Sequence, residues 1–178
     1  MKFFILILSV VLSFSFIKKD KPWYALKTGA FEISFPKEPV LDTNLLNTDI
    51  GILKMHSYMF DASAKKRSKN KLYSLVHIAY PSDLIHSNLT AQLDGVFRNV
   101  VDDAVANVHG KLLSEKEVVL GDYPGRVVEI DFQEGFAVIL MHCYLVDNTL
   151  YTLQTISETS NYPNEQSSRF LKSFKLVR

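Results

Sequence analysis

The pattern of apolar and polar residues along this chain predicts mostly strands. In "FEISF", residues 31–35, three apolar side chains alternate with two polar ones, and Pro36 follows, which is typical of a short strand. Residues 50–60 and 71–80 are rich in β-branched and aromatic side chains. The basic segment "KKRSKNK", residues 65–71, joins these two runs, so we expect them to form a hairpin.

One long helix is predicted after Asn88, which is a candidate N-cap because its side-chain oxygen can accept from the free amides of a first turn. Gly110 lies where this helix would end, since glycine adopts a left-handed conformation at little cost. Between these two positions, apolar side chains recur at steps of three and four and form one stripe. The stripe consists of Leu89, Leu93, Val96, Phe97, Val100, Ala104 and Val108.

The pattern returns to strands after Gly110, first in the run "KLLSEKEVVL", residues 111–120. The segment "GDYPG", residues 121–125, is interpreted as a bend, in which Pro124 presets one φ and Gly125 accepts the next. Three further runs with short turn signals between them predict an antiparallel meander. A second helix is predicted near Pro163, with Phe170 and Leu171 turned inward and an extended tail after them.

The run "FAVILMHCYLV", residues 136–146, decides the predicted architecture. Both of its faces are apolar, whereas "RVVEIDF", residues 126–132, alternates as a strand with one wet face does. Residues 136–146 should therefore form a central strand that is covered on both sides. The expected fold is of the α+β class, a three-layer α/β/α sandwich around an antiparallel β-sheet.

The N-terminus predicts export. An apolar run from Phe3 to Ile17 follows Lys2 and is shorter than the roughly 20 residues that a membrane-spanning helix needs. Residues 1–15 are therefore interpreted as a signal peptide, residues 16–22 as a short linker and residues 23–178 as a single domain. Because more lysines follow the run than precede it, an uncleaved anchor is the alternative. The mature chain is expected in the periplasm or outside the cell, without a stable membrane span.

Composition narrows the function classes. The 178 residues carry 20 basic and 19 acidic side chains, a net charge of +1, which argues against a nucleic-acid binder. The single cysteine excludes an intramolecular disulfide and any multi-cysteine metal site. Seven scattered glycines provide no phosphate-binding loop, and no catalytic sequence motif occurs, so no cofactor is expected.

Histidines are the first candidates for chemistry. His56, His77 and His142 each lie in a predicted strand and could in principle converge on a metal ion. Their spacing gives no metal-ligand pattern, and we interpret them as structural. His86 is expected in a loop and His109 in the last helical turn, where a partial positive charge suits the helix dipole.

Carboxylate pairs are the second candidates. Glu115 and Glu117 share a strand face, as do Glu129 and Asp131, and an acid–base pair would need such groups. Side chains two residues apart on one strand are more simply the wet face of that strand. We therefore predict no catalytic role for them.

Three other features have structural interpretations. Cys143 and His142 are adjacent on a strand and point to opposite faces, so they cannot form a catalytic pair. The basic segment 65–71 is interpreted as a solvated hairpin tip, with contact to an anionic partner or membrane surface as the alternative. Asn88-Leu89-Thr90 matches the glycosylation sequon, a match that is common by chance.

Four short segments occur in an order that resembles the Mog1/PsbP-like superfamily, especially its small exported bacterial members. They are "ISFP" at 33–36, "GDYPGR" at 121–126, "HCYLVDNTLYTL" at 142–153 and "RFLKSFKL" at 169–176. The resemblance extends from about Trp23 to Val177. It implies an α/β/α sandwich on an antiparallel sheet and binding rather than catalysis. Plant members associate with photosystem II and the nuclear member binds a small GTPase, but no residue here matches those partner surfaces.

Three functions are compatible with this sequence. The first is an exported non-enzymatic module that docks onto an envelope protein or a surface component. The second is a carrier that holds a small apolar ligand between helix and sheet, and the third is an uncharacterised enzyme. An apolar cavity of about 300 Å³ or more would favour the carrier.

Overall fold

A computed structural model describes residues 22–177 of the chain. The predicted signal peptide and all but the last residue of the predicted linker lie outside the described residues. Among residues 22–177, no helix has both the length and the apolar composition that crossing a membrane requires.

Strands and helices follow one another in the order that the sequence pattern predicts, with two additional strands near the N-terminus and a short one near the C-terminus. The elements are β1 (Tyr24–Lys27), β2 (Phe31–Phe35), β3 (Val40–Thr48), β4 (Gly51–Asp61), β5 (Asn70–Ala79), α1 (Leu93–Asn107), β6 (Lys111–Leu120), β7 (Tyr123–Phe132), β8 (Ala137–Val146), β9 (Thr149–Glu158), α2 (Glu165–Lys172) and β10 (Lys175–Leu176).

The strands form two sheets. The large sheet has seven strands in the order β3-β4-β5-β9-β8-β7-β6, and every neighbouring pair is antiparallel. The small sheet has the order β1-β2-β10. The predicted hairpin is confirmed as β4 and β5, and the predicted meander as β7, β8 and β9.

The central position of β8 is confirmed. It lies between β7 and β9, and its residues are buried or half-buried throughout. On one face, Ile139 and Met141 pack against Val101 of α1. On the other, the cover consists of the small sheet together with α2, through Phe31 and Phe170. The molecule is thus mostly antiparallel sheet with two helices, and a three-layer α/β/α sandwich describes it only in part.

Helix α1 starts later than the sequence pattern predicts. A turn of 3₁₀ helix at Thr90–Gln92 precedes it, and the N-cap position is Gln92, whose side chain makes no capping hydrogen bond. The prediction of Asn88 as N-cap is therefore wrong. Phe97 of the predicted stripe is fully buried, but so is Val101, which the predicted stripe leaves out.

The end of α1 depends on two adjacent residues. His109, with φ of 49°, takes the left-handed conformation that the sequence assigned to Gly110. The Gly110 amide donates to the Val105 carbonyl at 3.0 Å and closes the helix. Glycine is needed at 110 for a different reason, since a Cβ there would lie 2.5 Å from the carbonyl oxygen of Asp131. His109 lies beyond the last helical turn.

The segment "GDYPG" turns the chain with its first two residues only. Gly121 has φ of 63°, and β7 already begins at Tyr123, so Pro124 and Gly125 are strand residues. Their predicted role in the bend is wrong. Pro124 is tolerated because it pairs with β6 alone, while pairing to β8 starts one residue later at Gly125.

Helix α2 begins with a cap that the sequence pattern did not predict. The side chain of Asn164 accepts a hydrogen bond from the amide of Ser167 at 2.9 Å, so Asn164, one residue after Pro163, is the N-cap. The predicted inward orientation of Phe170 and Leu171 is confirmed, since both are buried.

Candidate functional site

The basic loop between β4 and β5 is held against α2. The backbone amide of Lys69 donates to Oε1 of Gln166 at 2.8 Å, and Nε2 of Gln166 donates to the carbonyl of Arg67 at 3.4 Å. The ammonium of Lys69 also donates to Oδ1 of Asn161 at 3.2 Å. These contacts fix the backbone of the loop instead of leaving it as a free hairpin tip.

A buried polar cluster supports the loop from below. Asn70, which is 1% exposed, accepts at Oδ1 from Ser157 at 2.5 Å, from Ser167 at 2.8 Å and from Asn164 at 2.9 Å. Its Nδ2 atom has no hydrogen-bond partner among residues 22–177. One side chain therefore ties the base of the loop to β9 and to the start of α2.

The exposed cations of this region form what we call the basic surface. Four of them lie on the loop, and none of these four forms a salt bridge with a residue in the range 22–177, whereas Lys71 pairs with Glu158 at 2.6 Å. Arg169 on α2 extends the surface, with its guanidinium 4.3 Å from the centre of the Trp23 ring. The basic surface consists of Lys65, Lys66, Arg67, Lys69, Arg169 and Lys172.

The opposite face of the large sheet carries a compensated charge cluster. Arg126, 8% exposed, lies 2.9 Å from Asp94, 3.1 Å from Glu117 and 3.4 Å from Glu115, and its guanidinium lies 4.8 Å from the centre of the Phe97 ring. A buried guanidinium needs such partners, because leaving it unpaired would cost several kcal/mol, about 3–5. Glu115 and Glu117 thus serve as partners of Arg126, which the sequence pattern did not identify.

The second carboxylate pair is divided between two structural roles. Asp131 accepts from the amide of Gly135 at 2.7 Å and so stabilises the turn between β7 and β8. Glu129 lies beside Tyr162, where burial and the carboxylate together raise the pKa of the phenol. The two groups therefore have separate partners.

Two of the three strand histidines belong to a row of rings that crosses the large sheet. His56 lies directly opposite His77, with ring centres 4.9 Å apart, and His77 stacks on Tyr151 at 5.6 Å. Tyr151 in turn lies opposite Tyr144. Burial, with a smaller contribution from His56, lowers the pKa of His77 to about 4. The row packs under Phe31 of the small sheet and is part of the core.

His142 does not join His56 and His77. It lies on β8, on the far side of β9, with Nδ1 3.1 Å from the hydroxyl of Tyr144, and burial lowers its pKa to about 4. Within residues 22–177, no three His, Cys, Asp or Glu side chains come together in a way that could hold a metal ion. His86 accepts from the amide of Asn88 at 3.2 Å.

Cys143 faces α1, and its thiol donates to the backbone carbonyl of Arg126 at 3.7 Å. It packs with Phe97, while His142 on the other face contacts Tyr144. Burial raises the pKa of the thiol to about 11, so it is protonated at neutral pH.

A cleft of about 870 Å³ opens at one end of the molecule, away from the basic loop. The turns at 121–122 and 147–148 and the end of the small sheet border it. Val146, Tyr151 and Phe174 give it an apolar wall, and polar side chains line its rim. No residue of α1 or α2 lines it, so it does not lie between a helix and the sheet, where the carrier hypothesis places its ligand.

Comparison with solved structures identifies the fold. The solution structure of cyanobacterial PsbP (CyanoP) from Synechocystis sp. PCC 6803 superposes with a TM-score of 0.52 over 86% of this chain and 91% of that one, at 9% sequence identity. This chain has a PsbP-like fold. At this identity the likeness concerns the fold alone, and it confirms at that level the resemblance seen in the sequence.

Other comparisons add nothing to the PsbP-like assignment. A crystal structure of a protein of unknown function, PA94 from Pseudomonas aeruginosa, described as a putative regulator, covers 83% of this chain and 91% of its own, with 9% identity. Its TM-score of 0.38 is too low to support an argument. No family model matches the sequence, and no curated protein does.

Two features of this PsbP-like chain escape sequence reasoning for different reasons. Arg126 lies in a strand whose residue pattern predicts one solvent-exposed face. Only the fold brings Asp94 of α1 to 2.9 Å from its guanidinium. The anchoring of the basic loop rests on Gln166, nearly a hundred residues away in sequence. Neither contact has a local signal.

Proposed function

We propose that this chain is an exported, non-enzymatic binding module that docks through its basic surface onto an anionic lipid surface of the cell envelope. The observation that carries the proposal is the set of loop cations Lys65, Lys66, Arg67 and Lys69, all exposed and without carboxylate partners among the described residues. Gln166 holds the backbone that presents them.

A fixed group of uncompensated cations favours an anionic surface for two reasons. Each Lys or Arg near such a surface contributes about 1 kcal/mol, and the contributions of neighbouring residues accumulate. The loop is already ordered, so binding loses less conformational entropy than it would with a mobile tip. The cations of α2 extend the same surface, with Arg169 held over the Trp23 ring.

Two further observations support the rest of the proposal. The apolar run from Phe3 to Ile17, preceded by Lys2, supports export. The residue pairs that could have served as catalytic groups each have structural partners: Glu115 and Glu117 bind Arg126, and Asp131 binds a turn amide. These contacts favour a binding role over an enzymatic one.

Sedimentation with vesicles tests this proposal. We expect the full-length protein to bind phosphatidylglycerol vesicles more tightly than phosphatidylcholine vesicles, with affinity that falls as salt is raised. Replacing Lys65, Lys66, Arg67 and Lys69 by Gln should weaken binding at least about tenfold, since four contributions of about 1 kcal/mol are lost and salt screens part of each.

A matched control removes the same number of charges elsewhere. Lys37, Lys54, Lys111 and Lys116 are exposed and lie outside the basic surface. Replacing these four by Gln should leave binding within about twofold of the wild type, because they lie away from the contact surface. Equal weakening by both variants would mean that net charge alone matters. Binding to an acidic envelope protein without binding to either vesicle would also contradict the lipid-surface proposal.

The cleft of about 870 Å³ favours a second candidate function, carriage of a small ligand. Its apolar wall, formed by Val146, Tyr151 and Phe174, would take an apolar group. Titration with a fluorescent fatty acid tests this candidate, and Val146→Asp should abolish saturable binding. Unchanged binding to that variant would place the ligand elsewhere.

A further inference from the structure

The two edges of the large sheet differ in how they are protected. The edge strand β6 carries alternating charges, including Lys116 and Glu117, and has an irregular register between Leu112 and Ser114. The other edge strand, β3, has nine residues in regular register with β4 and only one charged side chain, Asp42. Charges and bulges are the usual means of preventing strand addition at an edge. Edge β3 has few of these protections.

Edge β3 also exposes apolar side chains. Val40 is 73% exposed, Leu41 54% and Leu45 69%, and Ile52 on the neighbouring strand is 69% exposed. Six of the twelve exposed large hydrophobic side chains among the described residues lie between residues 40 and 59. Such a concentration at a regular, weakly charged edge is typical of a strand that pairs with another strand.

The hairpin geometry shows which backbone groups of β3 face outward. Thr48 and Gly51 flank a two-residue turn. The backbone amides and carbonyls of alternate β3 residues therefore bond to β4, and those of the residues between them point away from β4. Thr43 is one of the latter, since its amide donates to Oδ1 of Asp42 at 2.9 Å. By the same alternation, Leu41 and Leu45 present their amides and carbonyls to an incoming strand.

The order of side chains along β3 identifies the occupant. Read outward from Thr43, "VLDTNLL" is nearly the same in both directions: Asp42 mirrors Asn44, Leu41 mirrors Leu45 and Val40 mirrors Leu46. We propose that β3 pairs antiparallel with β3 of a second copy of this chain, with the two-fold axis at Thr43. A two-fold contact of this kind requires a self-complementary strand, which this pattern supplies.

This register satisfies both backbone and side chains. Leu41 meets Leu45 of the second copy, Leu45 meets its Leu41, and the two Thr43 residues meet. Each of these three pairs exchanges two backbone hydrogen bonds, for which the Thr43 amide exchanges its bond to Asp42 for one to the second copy. Asp42 meets Asn44, whose Nδ2 already donates to Oδ2 of Asp42 within the strand at 2.9 Å, so the same bond can form between copies.

Neighbouring registers are less favourable. Moving the axis to Asp42 would place two aspartates directly opposite each other, and like charges in that position are destabilising. Moving it to Asn44 would place Asp42 against Leu46. The axis at Thr43 avoids both arrangements and aligns apolar with apolar side chains.

Sedimentation velocity over a range of concentrations tests the dimer. We expect a concentration-dependent monomer–dimer equilibrium for the full-length protein, and at least a tenfold increase in its dissociation constant for Leu45→Lys. Val119→Lys is the control, because Val119 lies on the other edge strand and is 71% exposed, much as Leu45 is. A protein that stays monomeric throughout, or a dimer disrupted by Val119→Lys and not by Leu45→Lys, would overturn the proposal.

Cross-linking tests the register. In the proposed dimer the two copies of residue 43 have Cα atoms about 5.5 Å apart, within disulfide range, so Thr43→Cys should give a covalent dimer on mild oxidation. Thr48→Cys should not, since its two copies lie roughly 34 Å apart at about 3.4 Å per residue. The native Cys143 is buried and does not interfere. Equal cross-linking of both variants would refute the register.

Discussion

Replacing Gly125 by alanine should destabilise the protein strongly, although the sequence places this glycine in a surface turn. A Cβ at this position would lie 2.5 Å from Cδ1 of Tyr144 and closer still to the carbonyl oxygen of Cys143. The Tyr144 ring is one member of the row that crosses the sheet, and the Cys143 carbonyl belongs to the central strand. Neither neighbour can move without disturbing the core.

The expected cost follows from overpacking. Inserting one methyl into a close-packed site costs about 1–3 kcal/mol, and we take about 3 because the obstacle includes backbone. Alanine also restricts the unfolded chain, which offsets this loss by up to about 1 kcal/mol. A net loss of at least about 2 kcal/mol should lower Tm by about 4–8 °C for a chain of this size.

Thermal and urea unfolding followed by circular dichroism measures this change, with Gly95→Ala as the matched control. Gly95 lies within α1, and a Cβ there has no neighbour within 4 Å. That substitution should stabilise the protein by about 0.5–1 kcal/mol, because alanine favours a helix more than glycine does. Two variants with the same chemical change should therefore shift Tm in opposite directions. An unchanged Tm for Gly125→Ala would refute the close-approach explanation.

Two other stability predictions concern the core and α2. Because burial lowers the pKa of His77 and His142 from 6.5 to about 4, the unfolded state takes up protons first as pH falls, and stability should decrease between pH 6.5 and 4. We expect about 1 kcal/mol per pH unit for each ring in urea unfolding, with a shallower dependence in His142→Gln; a flat profile would contradict it. Asn164→Ala removes the α2 cap and a bond to Asn70, and should cost about 2 kcal/mol. Asn164→Asp keeps the capping oxygen and should recover about half of that loss in the same assay.

Burial on both faces explains which strands could be predicted. Strand β8 is apolar on both sides because covering layers meet it from both sides, and that leaves a continuous apolar run in the sequence. Strand β3 is exposed at nearly every position, so no periodic pattern marks it. Strand β1 lies in the small sheet, with three of its four residues exposed. Where tertiary burial does not constrain the side chains, the sequence has no strand signal.

The roles of glycines were harder to predict because two physical requirements select glycine. One is a left-handed backbone conformation, and the other is the close approach of a neighbouring backbone. Gly110 and Gly125 both follow patterns typical of a helix end or a turn, yet each is glycine because another backbone passes within contact distance. The left-handed conformations are adopted instead by His109, directly before Gly110, and by Gly121, four residues before Gly125. A single sequence cannot separate a conformational requirement from a steric one, since only the fold determines which segments approach each other.

Amino-acid composition reveals neither the basic surface nor edge β3. The net charge of +1 hides the basic surface because it averages over regions of opposite sign. The cations without partners lie beside α2, and the compensated carboxylates lie on the α1 side around Arg126.

The geometry of the large sheet connects the proposed dimer with the proposed binding to an anionic surface. In the proposed dimer, Leu41 and Leu45 of both copies lie on one face, the face on which Leu41 neighbours Tyr58 and on which α2 packs. The basic surfaces of the two copies would then lie on the same side of the dimer. Both could contact a flat anionic surface at once, which would strengthen attachment although each copy makes no additional contact of its own.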